Sequence, residues 1–244
     1  MKSRRSAQFS ERFTADQALF RGPALPDFRD TDPWRVQRIA GEFVEGFDAL
    51  ADVHRAVAVF GSARIHENDP WYGQARETGR LLGEAGYAVI TGGGPGIMEA
   101  ANRGAHEAGA RSIGLNIELP HEQHVNPYVD LEVDFRYFFV RKTMFVKYSQ
   151  AFVVFPGGFG TLDELFEALT LIQTGKVERF VVILVSVDYW AGLLRWMESR
   201  LVAEGKIDER DLKLIEVTDD PAHVVEIVRA YDPRDDRTSR KRGK

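Results

Sequence analysis

Apolar and polar positions follow two rhythms along this chain, and the rhythms take turns. From Trp34 onward Val36, Ile39, Ala40, Phe43, Phe47 and Leu50 recur at the spacing of one helix face. A continuous apolar run, Ala-Val-Ala-Val-Phe-Gly at 56–61, follows and is too short for a buried helix, so it predicts a strand. Residues 70–86 return to the helical rhythm and end on Gly86, a residue suited to closing a helix. The alternation continues to the end of the pattern. Further strands are predicted at 87–91, 111–119, 131–139, 151–155, 179–185 and 212–217, and helices at 97–108, 140–149, 162–174, 188–204 and 221–231.

The strand segments are unbroken apolar runs rather than alternating ones, which means burial on both faces. Strands of that kind separated by helices predict an α/β fold: a doubly wound, mainly parallel Rossmann-like sheet with helices on both faces. Such sheets bind ligands at the carboxyl ends of their strands. Three of those ends carry Gly61-Ser62, Gly92-Gly93-Gly94 and Gly157-Gly158. The organisation expected is a polar N-terminal arm over 1–33, a single nucleotide-binding domain over 34–231 and a charged tail over 232–244. The arm contains Phe9, Phe13, Leu19, Phe20 and Leu25, which suits docking onto a neighbouring subunit.

Composition narrows the chemistry. Lys and Arg number 32 against 37 Asp and Glu, a net charge of −5, so general nucleic-acid binding is not expected. The chain has no cysteine, which excludes disulfides, thiolate metal sites and thiol catalysis. No apolar run approaches the roughly 18 residues of a membrane span, and the first residues lack a signal-peptide core, so no membrane is expected and the expected location is cytoplasmic. His121-x-x-His124 has metal-like spacing but no third ligand, so no metal and no cofactor are expected.

The candidate chemistry lies in the Gly-rich turns. Pro156-Gly157-Gly158-Phe159-Gly160-Thr161-Leu162-Asp163-Glu164 follows an apolar strand and opens a helix. Backbone amides at such a helix start point at an anion, and the helix dipole favours it; phosphate is the natural guest. The motif is neither a Walker loop nor a dinucleotide fingerprint. Thr161-x-x-Glu164 also has capping-box spacing, which offers a purely structural reading of Glu164. A carboxylate there should stay ionised. Gly92-Gly93-Gly94-Pro95-Gly96 forms a second turn, and Gly61-Ser62-Ala63-Arg64 would close a third side. Arg141 and Lys142 are adjacent on a predicted helix, so one can face the cleft while the other faces water.

PGGFGTLDE (156–164), GGGPGIMEA (92–100) and VRKTMF (140–145) together resemble the LOG, or "lonely guy", family of cytokinin-activating phosphoribohydrolases, often labelled lysine decarboxylase-like. The resemblance covers roughly residues 56–230. It implies hydrolysis of the N-glycosidic bond of N6-substituted adenosine 5′-monophosphates, and of AMP, to the free base and ribose 5-phosphate. It also implies a homo-dimer or higher homo-oligomer. Carried over by position, the catalytic pair falls on Arg141 and Glu164. The nucleotide and phosphate set falls on Gly157, Gly158, Gly160, Thr161, Gly92, Gly93, Gly94 and Gly96, joined by Ser62 and Lys142. Phe159 stands where Tyr is common and Asp163 where Glu is common, which bears on substrate preference. Two other readings stay open: a nucleotide-binding or sensor protein without catalysis, and a pyridoxal-phosphate decarboxylase using Lys142 or Lys147.

Overall fold

Strands buried on both faces need helices above and below, and the computed structural model, which describes residues 14–20, 31–119, 125–178, 180–232 and 234, arranges them so. Seven strands form one sheet: β1 (Ala56–Phe60), β2 (Ala88–Thr91), β3 (Ser112–Ile117), β4 (Leu131–Phe135), β5 (Ala151–Val154), β6 (Val181–Val185) and β7 (Ile215–Thr218). Their order is β4-β3-β2-β1-β5-β6-β7, and every pairing is parallel. The central strands are buried throughout, whereas the edge strand β4 alternates between exposed and buried positions.

The helices are α1 (Ala15–Phe20), α2 (Asp32–Ala49), α3 (Pro70–Glu84), α4 (Ile97–Glu107), α5 (Phe138–Tyr148), α6 (Phe159–Gln173), α7 (Val187–Trp196) and α8 (Pro221–Tyr231). Successive β1 side chains feed opposite layers. Ala56, Ala58 and Phe60 join a core with Phe145, Phe152 and Trp190, while Val57 and Val59 join one with Tyr72, Leu82 and Val224. Among the described residues no helix is long and apolar enough to cross a membrane.

Each predicted strand segment contains a strand, and the differences lie at the ends. The segment 131–139 stops being a strand at Phe135, because the Glu42 carboxylate accepts from the amides of Arg136 and Tyr137 and the chain turns into α5. Residues 209–214 form a 3₁₀ turn opened by a capping box between Asp208 and Asp211, so the last strand starts at Ile215. Helix α6 starts at Phe159, ahead of the predicted Leu162. Within the stretch expected to be an irregular arm, α1 forms a short helix: Ala15 and Leu19 pack on the core, and the Asp16 carboxylate accepts from the Phe138 amide. Phe9, Phe13, Leu25, His121, His124 and most of the tail lie outside the described residues.

Helices α3 and α4 touch backbone to backbone. A Cβ on Gly104 would lie 1.9 Å from the Arg76 carbonyl oxygen, and one on Gly79 would lie 2.2 Å from that of Ala101. Gly104→Ala is therefore expected to lower the unfolding free energy by about 2–3 kcal/mol through overpacking. Gly41→Ala, in α2 with open space around its Cα, is expected to raise it by about 0.5–1 kcal/mol. Urea denaturation of both variants beside the parent checks the contrast.

Candidate functional site

The chain leaves β1 toward β2, β3 and β4 on one side and returns to lay β5 on the other, so the connections after β1 and β5 diverge. A crevice opens at such a switch point. Two hydrogen bonds pin its base: the Phe155 amide donates to the Phe60 carbonyl (2.8 Å), and the Ser62 amide to the Pro156 carbonyl (3.0 Å). Above them is a cavity of about 700 Å³, within the range of small-molecule sites. Residues 60–64 line one side, and Gly92 and Met98 a second. Phe138, Arg141 and Phe145 of α5 form a third, and Gly158–Leu162 with Glu164 complete it.

Each turn is shaped by identifiable contacts. Gly96 has φ 71°, and a Cβ on it would sit 2.4 Å from the Ser62 carbonyl oxygen, so only glycine lets α4 approach the loop after β1. The Gly92–Gly94 turn rests on a buried polar network. Asn126 Nδ2 donates to the carbonyls of Gly93 (3.0 Å) and Gly94 (3.1 Å) and to Asn102 Oδ1 (3.0 Å). Thr91 Oγ1 accepts from the Gly93 amide (2.9 Å), and its hydroxyl donates to Asn102 Oδ1 (2.6 Å). These three side chains were absent from the sequence expectation; only their short polar character between apolar segments marks them.

The turn before α6 corrects the capping-box reading of Thr161 and Glu164. The N-cap is Gly158, whose carbonyl accepts from the Leu162 amide (3.0 Å), and no side chain caps the helix. Glu164 is consequently in the second turn, 4 % exposed, and it lines the cavity. Thr161 packs against Gly157, where a Cβ would lie 2.1 Å from Thr161 Oγ1.

Of the residues expected at the site, Ser62, Gly92, Arg141, Gly158, Gly160, Thr161 and Glu164 line the cavity. Gly93, Gly94, Gly96 and Gly157 lie behind its surface and shape it. Lys142 turns to the other face of α5 and pairs with Asp163 (3.1 Å) and with Glu167. Of the aromatics at the end of β4 and the start of α5, Phe135 and Tyr137 are buried, whereas Phe138 lines the cavity with its ring centre 5.0 Å from the Arg141 guanidinium carbon.

The electrostatics of the cavity are set by burial. Burial works against the expectation that Glu164 stays ionised: desolvation raises its pKa to about 7, against the opposing pull of Lys142 and Arg141. Burial likewise lowers the pKa of Arg141, opposed by attraction to Glu164, Asp163 and Asp16. Arg141 Nε and Glu164 Oε2 are both buried without a hydrogen-bond partner among the described residues. A native protein tolerates such orphaned groups where a ligand or water supplies the missing bonds. No cluster of three or more His, Asp or Glu side chains suited to a metal ion occurs among the described residues.

A carboxyl that holds its proton more tightly when folded costs stability once that proton is lost. The unfolded side chain ionises near 4.5 and the folded one near 7, so the parent should lose stability as pH rises through that window. Glu164→Gln removes the effect. The variant is expected to match the parent near pH 4 and to exceed it by about 3 kcal/mol above pH 8. Chemical denaturation of both proteins across this range reads the difference.

Comparison with known proteins places this geometry in a family. The model described as "possible lysine decarboxylase" matches residues 98–228. A probable cytokinin riboside 5′-monophosphate phosphoribohydrolase of Oryza sativa subsp. japonica is 26 % identical over 217 residues, covering 85 % of this chain and 84 % of the rice protein. A cytokinin riboside 5′-monophosphate phosphoribohydrolase of Arabidopsis thaliana is 26 % identical over 207 residues, covering 81 % and 93 %. Among solved structures, a molybdenum cofactor binding protein from Rippkaea orientalis superposes with a TM-score of 0.55 at 22 % identity, covering 72 % of this chain and 94 % of that one. The molybdenum cofactor carrier protein of Chlamydomonas reinhardtii does so with 0.53 at 23 %, covering 73 % and 97 %. The structural likenesses establish the shared Rossmann-like fold. The family match extends over more than half of the chain, and with the curated relatives it shows that this protein belongs to the LOG family.

Proposed function

We propose that the protein is a phosphoribohydrolase that cleaves the N-glycosidic bond of adenosine 5′-monophosphates, N6-substituted ones included, to the free base and ribose 5-phosphate. The observation that carries this reading is the pair of orphaned groups, Arg141 Nε and Glu164 Oε2, beside one cavity at the start of a helix. The names of the plant relatives agree with it.

In this reading the amides around Gly158 and Gly160 and the Thr161 hydroxyl receive the 5′-phosphate. Binding there, away from the reacting bond, holds C1′ near Glu164. Breaking the C1′–N9 bond builds positive charge on the ribose, which an ionised Glu164 stabilises. The same carboxylate takes a proton from the attacking water while the departing base takes one up in exchange, and a pKa near 7 suits that transfer at neutral pH. Arg141 positions the carboxylate and the nucleotide. Phe60, Ile117, Leu119 and Phe145 supply an apolar wall for the base.

Three outcomes are expected. Glu164→Gln lowers kcat for AMP by roughly 10²–10⁴ while AMP still binds, because the amide neither stabilises a cation nor accepts a proton. Adenosine is cleaved at least about a hundredfold less efficiently than AMP by kcat/KM, since it lacks the group that the turn holds. For the parent, kcat/KM falls as pH drops below about 7, where Glu164 takes up its proton. Release of free base, followed by chromatography, checks all three. Parental turnover in Glu164→Gln would leave a nucleotide-binding protein whose chemistry lies elsewhere.

A further inference from the structure

Tyr189 does not line the cavity, yet its hydroxyl donates to the Gly157 carbonyl at 2.8 Å. Among the described residues this is the hydrogen bond that the Gly157 oxygen receives. The tyrosine is partly exposed, and its backbone and ring have partners behind it. It is the third residue of α7, whose N-cap Ser186 adopts φ 87° and ψ 91°, the one positive φ of a non-glycine residue among those described. Such backbone strain persists where surrounding structure over-determines it. The Ser186 side chain accepts from the Tyr189 amide (3.4 Å). The ring meets Trp71 edge-on at 5.9 Å and Trp190 at 4.8 Å, and Trp190 is itself buried and bonded through Nε1 to the Val185 carbonyl (2.9 Å).

A trans peptide directs its C=O and its N–H to opposite sides. With the Gly157 oxygen bonded to Tyr189, the N–H of the same peptide, that of Gly158, points away from Tyr189. Gly158 is the N-cap of α6 and lines the cavity, and its amide has no partner among the described residues. The Gly157–Gly158 peptide has glycine on both sides, so no flanking Cβ fixes the orientation of its plane. The rotated form would present a carbonyl oxygen where an anion is to bind.

We infer that Tyr189 is a positioning residue that locks the Gly157–Gly158 peptide with its N–H toward the cavity, ready for a phosphate. The identity of that anion rests on the function proposed above. The orientation of the peptide rests on the Tyr189 hydrogen bond.

Tyr189→Phe deletes the hydroxyl and keeps the ring. Inorganic phosphate binding is measured by calorimetry on parent and variant, with base release from AMP and from adenosine. The Kd for phosphate and the KM for AMP are expected to rise about tenfold, the loss of one hydrogen bond of ordinary net strength. The kcat for AMP, kcat/KM for adenosine and the melting temperature should stay near parental values. Unchanged phosphate Kd and AMP KM would overturn the inference, as would an equal fall in the cleavage of AMP and adenosine. If the parent binds phosphate but releases no base, the hydrolytic reading fails, while the phosphate Kd of the variant still decides the role of Tyr189.

Discussion

The pairing of β5 with β1 is the constraint from which the site follows. Both strands are buried end to end, so each must lie inside the sheet rather than at its edge. The next three strands, β2 to β4, occupy one side of β1, and the chain has to come back across the layer to complete it. That return sets the loops after β1 and β5 against each other and aims the start of α6 into the gap. Gly96 and Gly157 then allow close approaches that a side chain would block.

What the gap contains is costly to keep. Glu164 and Arg141 are drawn out of water far enough that each has its charged form disfavoured. Their mutual attraction, with Lys142 and Asp163 nearby, returns only part of that cost. Burial without full compensation is the usual state of groups kept for binding or chemistry rather than for stability. The Asn126–Asn102–Thr91 network is a contrast. It is just as buried, but its members are hydrogen-bonded to one another, and it serves the shape of the wall.

Much of the fold could be read from residues alone, because doubly buried parallel strands leave continuous apolar runs that no surface pattern imitates. The three Gly-rich turns stood out for the same reason: glycine clusters at strand ends are cheap only where the backbone needs them. Local competition between residues is not legible in the same way. Phe159-Gly160 looks like loop because glycine is a poor helix former, yet α6 begins there, and that displacement removes Glu164 from any cap. The raised pKa of Glu164 is not legible in the sequence, because proximity to a helix start is visible there and depth is not. Tyr189 left no trace, since a hydrogen bond to a backbone carbonyl 32 residues away obeys no periodicity.

The position of β1 also has a consequence during synthesis. Ala56–Phe60 can pair with β2 soon after both have emerged, but its other edge finds its partner only when Ala151–Val154 has been made. Until then an uncharged, wholly apolar Ala-Val-Ala-Val-Phe strand carries an open row of amides and carbonyls. Chains truncated before β5 would retain that sticky edge permanently and would be natural clients for chaperones or seeds for aggregation.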